Sequence, residues 1–285
     1  MRSRHAASPM PELPEVEATR RHLEPIVTGR VIRAAEVRRE RMVRRHEQPA
    51  DFAARVTGRR VRSLGRRGKF LLATLDGDIT WVTHLGMSGR ISVATPGDDE
   101  APHTNVMIRL DDDREVRMVD PRTFGFVAAW TPEELDAAFG GRVGRDALDD
   151  LPATGELAAA LAGRTAPIKG LLLDQRILAG LGNIYADEIL HRARLRPDRP
   201  AGSLTRSEVS ALRAAVRPVL AAGLRHGGTS LADLAYLLPD GRAGDHLDRL
   251  AAYGREGEAC RRCGGIIERV VIRARSSFWC PGCQV

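Results

Sequence analysis

Lys69–Ala94 reads KFLLATLDGDITWVTHLGMSGRISVA. Three apolar runs, KFLLATL, ITWVTHL and RISVA, are separated by Asp-Gly-Asp and by Gly-Met-Ser-Gly. Short runs rich in Leu, Val, Ile, Thr and Trp, divided by turn residues, are strands of an antiparallel sheet rather than helices. Further runs flank these: VIRAAEV at Val31–Val37, NVMIRL at Asn105–Leu110, EVRMV at Glu115–Val119 and FGFVAAW at Phe124–Trp130. Many short strands with regular turn signals predict a β-sandwich or barrel. Ahead of them, Leu13–Val27 predicts a short helix, with Pro14 in its first turn and Val16, Leu23, Ile26 and Val27 at helical spacing. Beyond them, a stretch rich in Gly, Asp and Arg (141–155) reads as a connection. Helical periodicity follows at Ile168–Asp174, Asn183–Arg194 and Arg206–Arg225, with LAGLGN (178–183) too glycine-rich for a helix interior. The expected organisation is α+β and multidomain. It comprises a leader (1–10), a sandwich (11–140), the linker (141–155), a helical domain (156–250) and a cysteine-bearing tail (251–285).

Of the 285 residues, 43% are hydrophobic and 28% charged, which excludes wholesale disorder. No apolar run approaches the roughly 18 residues of a membrane span. Lys and Arg number 44 against 37 Asp and Glu, a net charge of +7. That balance suits a polyanion, nucleic acid first, or else a solvated basic face. The first ten residues lack the apolar core of a secretory signal, so a reducing cytosol is the expected compartment. All four cysteines lie in the tail, as Cys260-x2-Cys263 and Cys280-x2-Cys283. In a reducing compartment two such knuckles read as one structural Zn2+ with four sulfur ligands, with a redox pair or disulfides as the alternative. The intervening IIERVVIRARSSFW alternates as a hairpin, and its Arg269, Arg273 and Arg275 suit DNA contact.

Six motifs in order carry a resemblance: MPELPEVE (10–17), HLGMSG (84–89), DPRTFG (120–125), GLGNIYADE (180–188), HGGTS (226–230) and the cysteine finger. Together they resemble the Fpg/endonuclease VIII family of DNA glycosylases, on its formamidopyrimidine side. The resemblance implies a two-layered β-sandwich with a flanking helix, a helix–two-turn–helix domain and a C-terminal zinc-finger hairpin. It also implies excision of oxidised purines such as 8-oxoguanine from double-stranded DNA, followed by cleavage of the abasic site.

By that resemblance Pro11 is the nucleophile, a secondary amine attacking C1′ of the sugar. An α-amine with a pKa of about 7.7–8.0 is partly neutral near pH 7, whereas a lysine near 10.4 is neutral about once in a thousand. Glu12 matches the acid/base group and Glu15 its support. Lys69 matches a proton donor in elimination, and Arg275 a phosphate-binding arginine of the finger. Met87, Arg122 and Phe124 match the set that fills the hole left by an everted base. His103, Arg164, Lys169 and Asn183 match DNA-contacting positions, Asn183 with a phosphate at a helix N-terminus.

Three features depart from the family pattern. Pro11 is preceded by ten residues, and a tertiary amide nitrogen is not nucleophilic; Met10 is therefore the expected start, with its methionine removed. Asp245 and His246 replace the usual aromatic pair in the lesion-capping stretch that begins at Thr229. Thr123 stands where a second basic residue is common. The alternatives are an endonuclease VIII-like enzyme for oxidised pyrimidines, or a non-catalytic damage-binding protein if Pro11 stays blocked. The expected protein is a bacterial cytoplasmic monomer, associated with the nucleoid through DNA.

Overall fold

The computed structural model describes residues 10–230 and 236–285. The leader up to Pro9 and residues 231–235 of the lesion-capping stretch lie outside the described residues. The chain starts with α1 (Leu13–Val27), whose Leu13, Val16, Leu23 and Val27 are buried. Eight strands follow: β1 (Ile32–Val37), β2 (Val61–Arg67), β3 (Phe70–Leu75), β4 (Ile79–His84), β5 (Arg90–Ala94), β6 (Thr104–Leu110), β7 (Glu115–Val119) and β8 (Phe126–Trp130). They form two four-stranded antiparallel sheets, ordered β1-β6-β7-β5 and β2-β3-β4-β8. Alternate residues Leu71, Ala73 and Leu75 of one sheet share a core with Val106, Ile108 and Leu110 of the other. Each such Leu, Ile or Val stabilises the sandwich by roughly 1.5–3 kcal/mol.

The expected seven runs omitted β2. Its sequence VRSLGRR does not alternate: a register shift between Val61 and Ser63 sets the buried Val61 and Leu64 three positions apart, and Arg66 is held as an ion pair. The Arg66 side chain is 1% exposed and meets Glu17, Asp146 and Asp149. Also unexpected are α2 (Pro49–Val56), α3 (Pro132–Phe139) and α4 (Thr154–Leu161), each too short to show a full apolar repeat. The stretch 141–155 is more than a connection. It contains β9 (Arg145–Asp146), paired in parallel with β10 (Leu178–Ala179), and the first residues of α4.

The helical layer consists of α4, α5 (Ile168–Leu172), α6 (Asn183–Ala193) and α7 (Arg206–Arg225). Ile184, Tyr185 and Ile189 of α6 pack with Leu212, Val216 and Leu220 of α7. The tail hairpin, β11 (Glu268–Ile272) and β12 (Arg275–Trp279), adds Ile267, Phe278, Cys260 and Cys280 to that same core. Its two turn residues, Arg273 and Ala274, have φ of 47° and 59°, the left-handed pair that matches strand twist in a two-residue hairpin. The Glu188 carboxylate accepts from the amides of Ala251, Ala252 and Tyr253, which ties the approach to the finger onto α6. Among the described residues no helix is long and apolar enough to cross a membrane.

Candidate active site

The starts of α1 and α6 meet because two glycines let them. At Gly180, with φ 107°, a Cβ would lie 2.5 Å from Leu13; at Gly182 it would lie 2.4 Å from the Glu12 carboxyl carbon. The glycines of GLGN therefore answer a close approach. Across the gap, the Leu13 amide donates to the Gly180 carbonyl at 3.0 Å. The Glu12 carboxylate accepts from the amides of Gly182 (2.7 Å), Ile184 (2.8 Å) and Tyr185 (3.3 Å). It thus occupies the positive end of α6, where amides lack helical partners. Glu12 is 1% exposed. Burial pushes its carboxyl up to about 7, aided by the charge of Glu15 and opposed by Lys69 and the α6 amides. A carboxyl poised there can give or take a proton near neutrality.

Glu15 holds the backbone beside it. One oxygen accepts from the Glu12 amide at 2.9 Å; the other accepts from the Tyr185 hydroxyl at 2.8 Å and the Thr229 amide at 2.7 Å. The Glu12 amide belongs to the peptide that carries Pro11, so Glu15 orients the buried Pro11. Burial raises the Glu15 carboxyl.

Lys69 arrives from the β2–β3 turn. Gly68 has φ 57°, and a Cβ on it would lie 3.0 Å from Ala179. Its amide donates to Asp146 at 2.7 Å and its carbonyl accepts from Arg66 at 3.0 Å. Lys69 is 4% exposed, and its Nζ donates no hydrogen bond among the described residues. Burial lowers its pKa, Glu12 and Glu15 oppose that, and the positive Arg275 reinforces it. Arg275 is exposed at the first position of β12. Glu12, Lys69 and Arg275, from three separate parts of the chain, therefore act in one electrostatic field.

In the finger, the sulfurs of Cys260, Cys263, Cys280 and Cys283 all lie within 4.8 Å of one another, with closest approaches of 3.3–3.6 Å. A tetrahedral zinc with bonds near 2.3 Å sets sulfurs about 3.8 Å apart, so the four fit one ion. With four protein ligands and no open position, the zinc is structural. The His191 ring nitrogen lies 3.3 Å from the Cys260 sulfur, an outer contact that orients a ligand.

A family model, the formamidopyrimidine-DNA glycosylase N-terminal domain, matches residues 10–127. The helix–two-turn–helix model of the same glycosylases matches residues 143–234, and a zinc finger found in FPG and IleRS matches 257–285. The chain belongs to the formamidopyrimidine-DNA glycosylase family. It is 44% identical to the formamidopyrimidine-DNA glycosylase of Nocardia farcinica, over 96% of this chain and 98% of the relative. The crystal structure of MutM (Fpg) from Thermus thermophilus superimposes with a TM-score of 0.86 at 41% identity, covering 96% and 98% of the two chains. A complex of Lactococcus lactis Fpg with DNA containing an abasic site gives 0.88 at 30% identity, covering 96% and 99%.

The remaining residues singled out within this glycosylase fold divide into two groups. HLGMSG and DPRTFG form one unit organised by the fully buried Asp120. Its carboxylate accepts from the Ser88 hydroxyl (2.6 Å) and the amides of Arg122 (3.2 Å) and Gly125 (2.8 Å). Gly86 is pressed so close that a Cβ would lie 2.3 Å from the Gly125 nitrogen. This unit presents Phe124, 41% exposed, with the Arg122 guanidinium 4.8 Å above its ring, and carries the half-buried Met87. His103 is exposed in a left-handed conformation, φ 66°, and its carbonyl accepts from the Asp120 amide. Arg164 is exposed after α4.

Two of the expected phosphate-contacting residues also make contacts within the fold. The α6 amides beside Asn183 are already occupied by Glu12, and the Asn183 side-chain amide donates to the Ser276 carbonyl at 3.1 Å. Lys169 is 0% exposed, 2.7 Å from Asp187, and donates to the Ser276 carbonyl at 2.8 Å. Both tie the finger to the helices through the Ser276 carbonyl, Lys169 through Asp187 as well. The sequence reading missed Tyr185, Asp120, Asp146, Asp187 and Arg66. Tyr185, Asp187 and Asp120 had a signal, their places in GLGNIYADE and DPRTFG. At the site of the absent aromatic pair, the His246 ring stacks on Tyr185, centroids 6.1 Å apart at 10°. Burial lowers His246 to about 4, so it is neutral.

Proposed function

We propose that the protein is a base-excision repair enzyme that removes oxidised purines from double-stranded DNA and cleaves the resulting abasic site. The observation that carries this reading is the pairing of Pro11 with Glu12, a carboxyl near 7 on the α6 N-terminus beside the buried Lys69. The working form begins at Pro11, since a nucleophilic nitrogen needs a free lone pair. That nitrogen attacks C1′ of the damaged nucleotide; the N–C1′ bond forms as the glycosidic bond breaks, and the base leaves. Glu12 in its acid form protonates the sugar O4′ as the ring opens. The resulting iminium acidifies the C2′ proton, whose removal expels the 3′ phosphate. Lys69 supplies a proton in elimination, and Arg275 binds the phosphate beside the lesion and assists loss of the second one.

Reaching C1′ requires an everted nucleotide. Phe124 and Met87 enter the vacated step, and Arg122 hydrogen-bonds the orphaned base. His103 and Arg164 contact the backbone. The relatives' DNA complexes support this assignment: Lactococcus lactis Fpg has been captured with Fapy-dG DNA and with abasic DNA. A bacterial cytoplasmic, nucleoid-associated location accords with it.

The test is borohydride trapping on a duplex carrying 8-oxoguanine opposite cytosine. It uses protein beginning at Pro11 and protein that retains residues 1–10. A covalent adduct from the first alone is the expected result. No adduct from either, with tight binding to the same duplex, overturns catalysis in favour of damage binding. An adduct only on oxidised-pyrimidine duplexes overturns the substrate.

A further inference from the structure

The loop that carries Phe124 is held from inside by Asp120 and from outside by one arginine. Arg44 follows a 3-10 turn at Glu40–Val43 in the segment between β1 and α2. Its guanidinium donates to the Gly125 carbonyl at 2.6 Å, to the Phe124 carbonyl at 2.9 Å and to the Arg41 carbonyl at 2.8 Å. It also lies 5.2 Å from the centroid of the Phe126 ring. No carboxylate lies within ion-pair distance of it among the described residues, although most arginines of the chain that make side-chain contacts pair with an acid. Arg41 adds a contact to the Thr123 carbonyl at 3.3 Å. Thr123 itself has φ 52°, a left-handed conformation that a β-branched residue adopts only when its surroundings enforce it.

From this geometry we infer that Arg44 is a positioning residue for strand opening: its planar fork braces the Phe124–Gly125 backbone so that Phe124 can enter the base stack without yielding. The inference rests on the reading of Phe124 as the inserted side chain. Unstacking a base step opposes insertion. A wedge on a compliant loop moves back rather than parting the bases. The fork geometry matters because several carbonyls on two segments must be met at once, and an ammonium on a flexible stem does not reproduce that. Arg44 acts through the loop and touches neither the sugar nor the leaving base.

The experiment compares wild type, Arg44→Ala, Arg44→Lys, Phe124→Ala and the Arg44→Ala/Phe124→Ala double variant, all beginning at Pro11. Two reactions are measured: excision of 8-oxoguanine from a duplex, and cleavage of a preformed abasic site in a single strand, where nothing needs to be opened. Arg44→Ala is expected to slow duplex excision on the order of 10- to 100-fold and leave single-strand cleavage unchanged. The double variant is expected to be no slower than Phe124→Ala, because both changes remove one function. Arg44→Lys is expected to remain slow. Full recovery with lysine would overturn the proposal by showing that charge, as in a phosphate contact, is what matters. Equal losses in both reactions would overturn it in favour of a general folding role, and so would additive losses in the double variant. Inactivity of the wild type on both substrates would instead sink the proposed function.

Discussion

Lys69 and Lys169 are both buried, 4% and 0% exposed, and burial lowers the pKa of each. They lie near different parts of α6 and are treated differently. Lys169 sits 2.7 Å from Asp187 and donates to a finger carbonyl. Lys69 makes no hydrogen bond among the described residues and feels Glu12, Glu15 and Arg275 only through space. A buried cation matched by a close carboxylate is cement. One left without a close partner, beside a carboxyl poised near 7, is available for proton transfer. The two carboxyls show the same division. Burial raises Glu12 and Asp187 alike to about 7, but Glu12 rests on helix amides near the proposed nucleophile, while Asp187 is bonded to Lys169 and the Phe278 amide.

The sharpest way to break this comparison is Glu12→Gln, which keeps an acceptor for the α6 amides and removes the titrating proton. Single-turnover base excision is expected to fall by about 10²–10⁴ with binding of lesion DNA retained. Excision that persists within a few-fold of wild type would strip Glu12 of the acid/base role.

The lysines come next. Lys169→Met leaves Asp187 buried and unmatched, and should cost about 3–5 kcal/mol in urea unfolding. The companion change Asp187→Leu should recover much of that loss. Lys69→Met removes a cation without a close partner, so it should leave stability equal or higher while slowing elimination. If both methionines destabilise equally, the distinction between the lysines is wrong.

A smaller effect follows from linkage. The Glu12 carboxyl is raised from about 4.5 to about 7 on folding. Between those values the folded state holds the proton and the unfolded state does not. Wild-type stability should therefore fall as pH rises through that window, by up to about 3 kcal/mol relative to Glu12→Gln. Parallel curves for the two proteins in melts from pH 4.5 to 8 would refute the raised pKa.

The smallest expected change is from chelating the zinc. Loss of the ion should loosen the hairpin that presents Arg275 and weaken DNA binding about tenfold, while the sandwich, with its separate core, stays folded. Unchanged affinity by anisotropy would show that the finger does not contact DNA.

Much of the fold was legible because it is local. The two-residue alternation of Leu71, Ala73 and Leu75, the turn residues between runs and the cysteine knuckles need no distant partner to be read. Strand β2 escaped because a register shift sets its buried Val61 and Leu64 three positions apart, and because its Arg66 side chain signals the interior only when its three acids are known. Of the site, the residue types at Pro11, Glu12, Lys69 and the cysteines were readable from motif order. Their electrostatics were not.

The chain by itself determined which elements form, in what order, and which chemical groups are on hand: an N-terminal-type proline, carboxyls, one lysine in a tight turn and four thiols. The tertiary structure alone decided how those groups are paired. Glu12 takes the amides of Gly182 and Ile184, 170 and 172 residues away. Lys169 meets Asp187 at 2.7 Å, whereas among the described residues Lys69 has no carboxylate within ion-pair distance. The physical reason is that desolvation and ion pairing depend on which groups end up within a few ångströms of each other once water is excluded, and sequence separation carries no information about that distance.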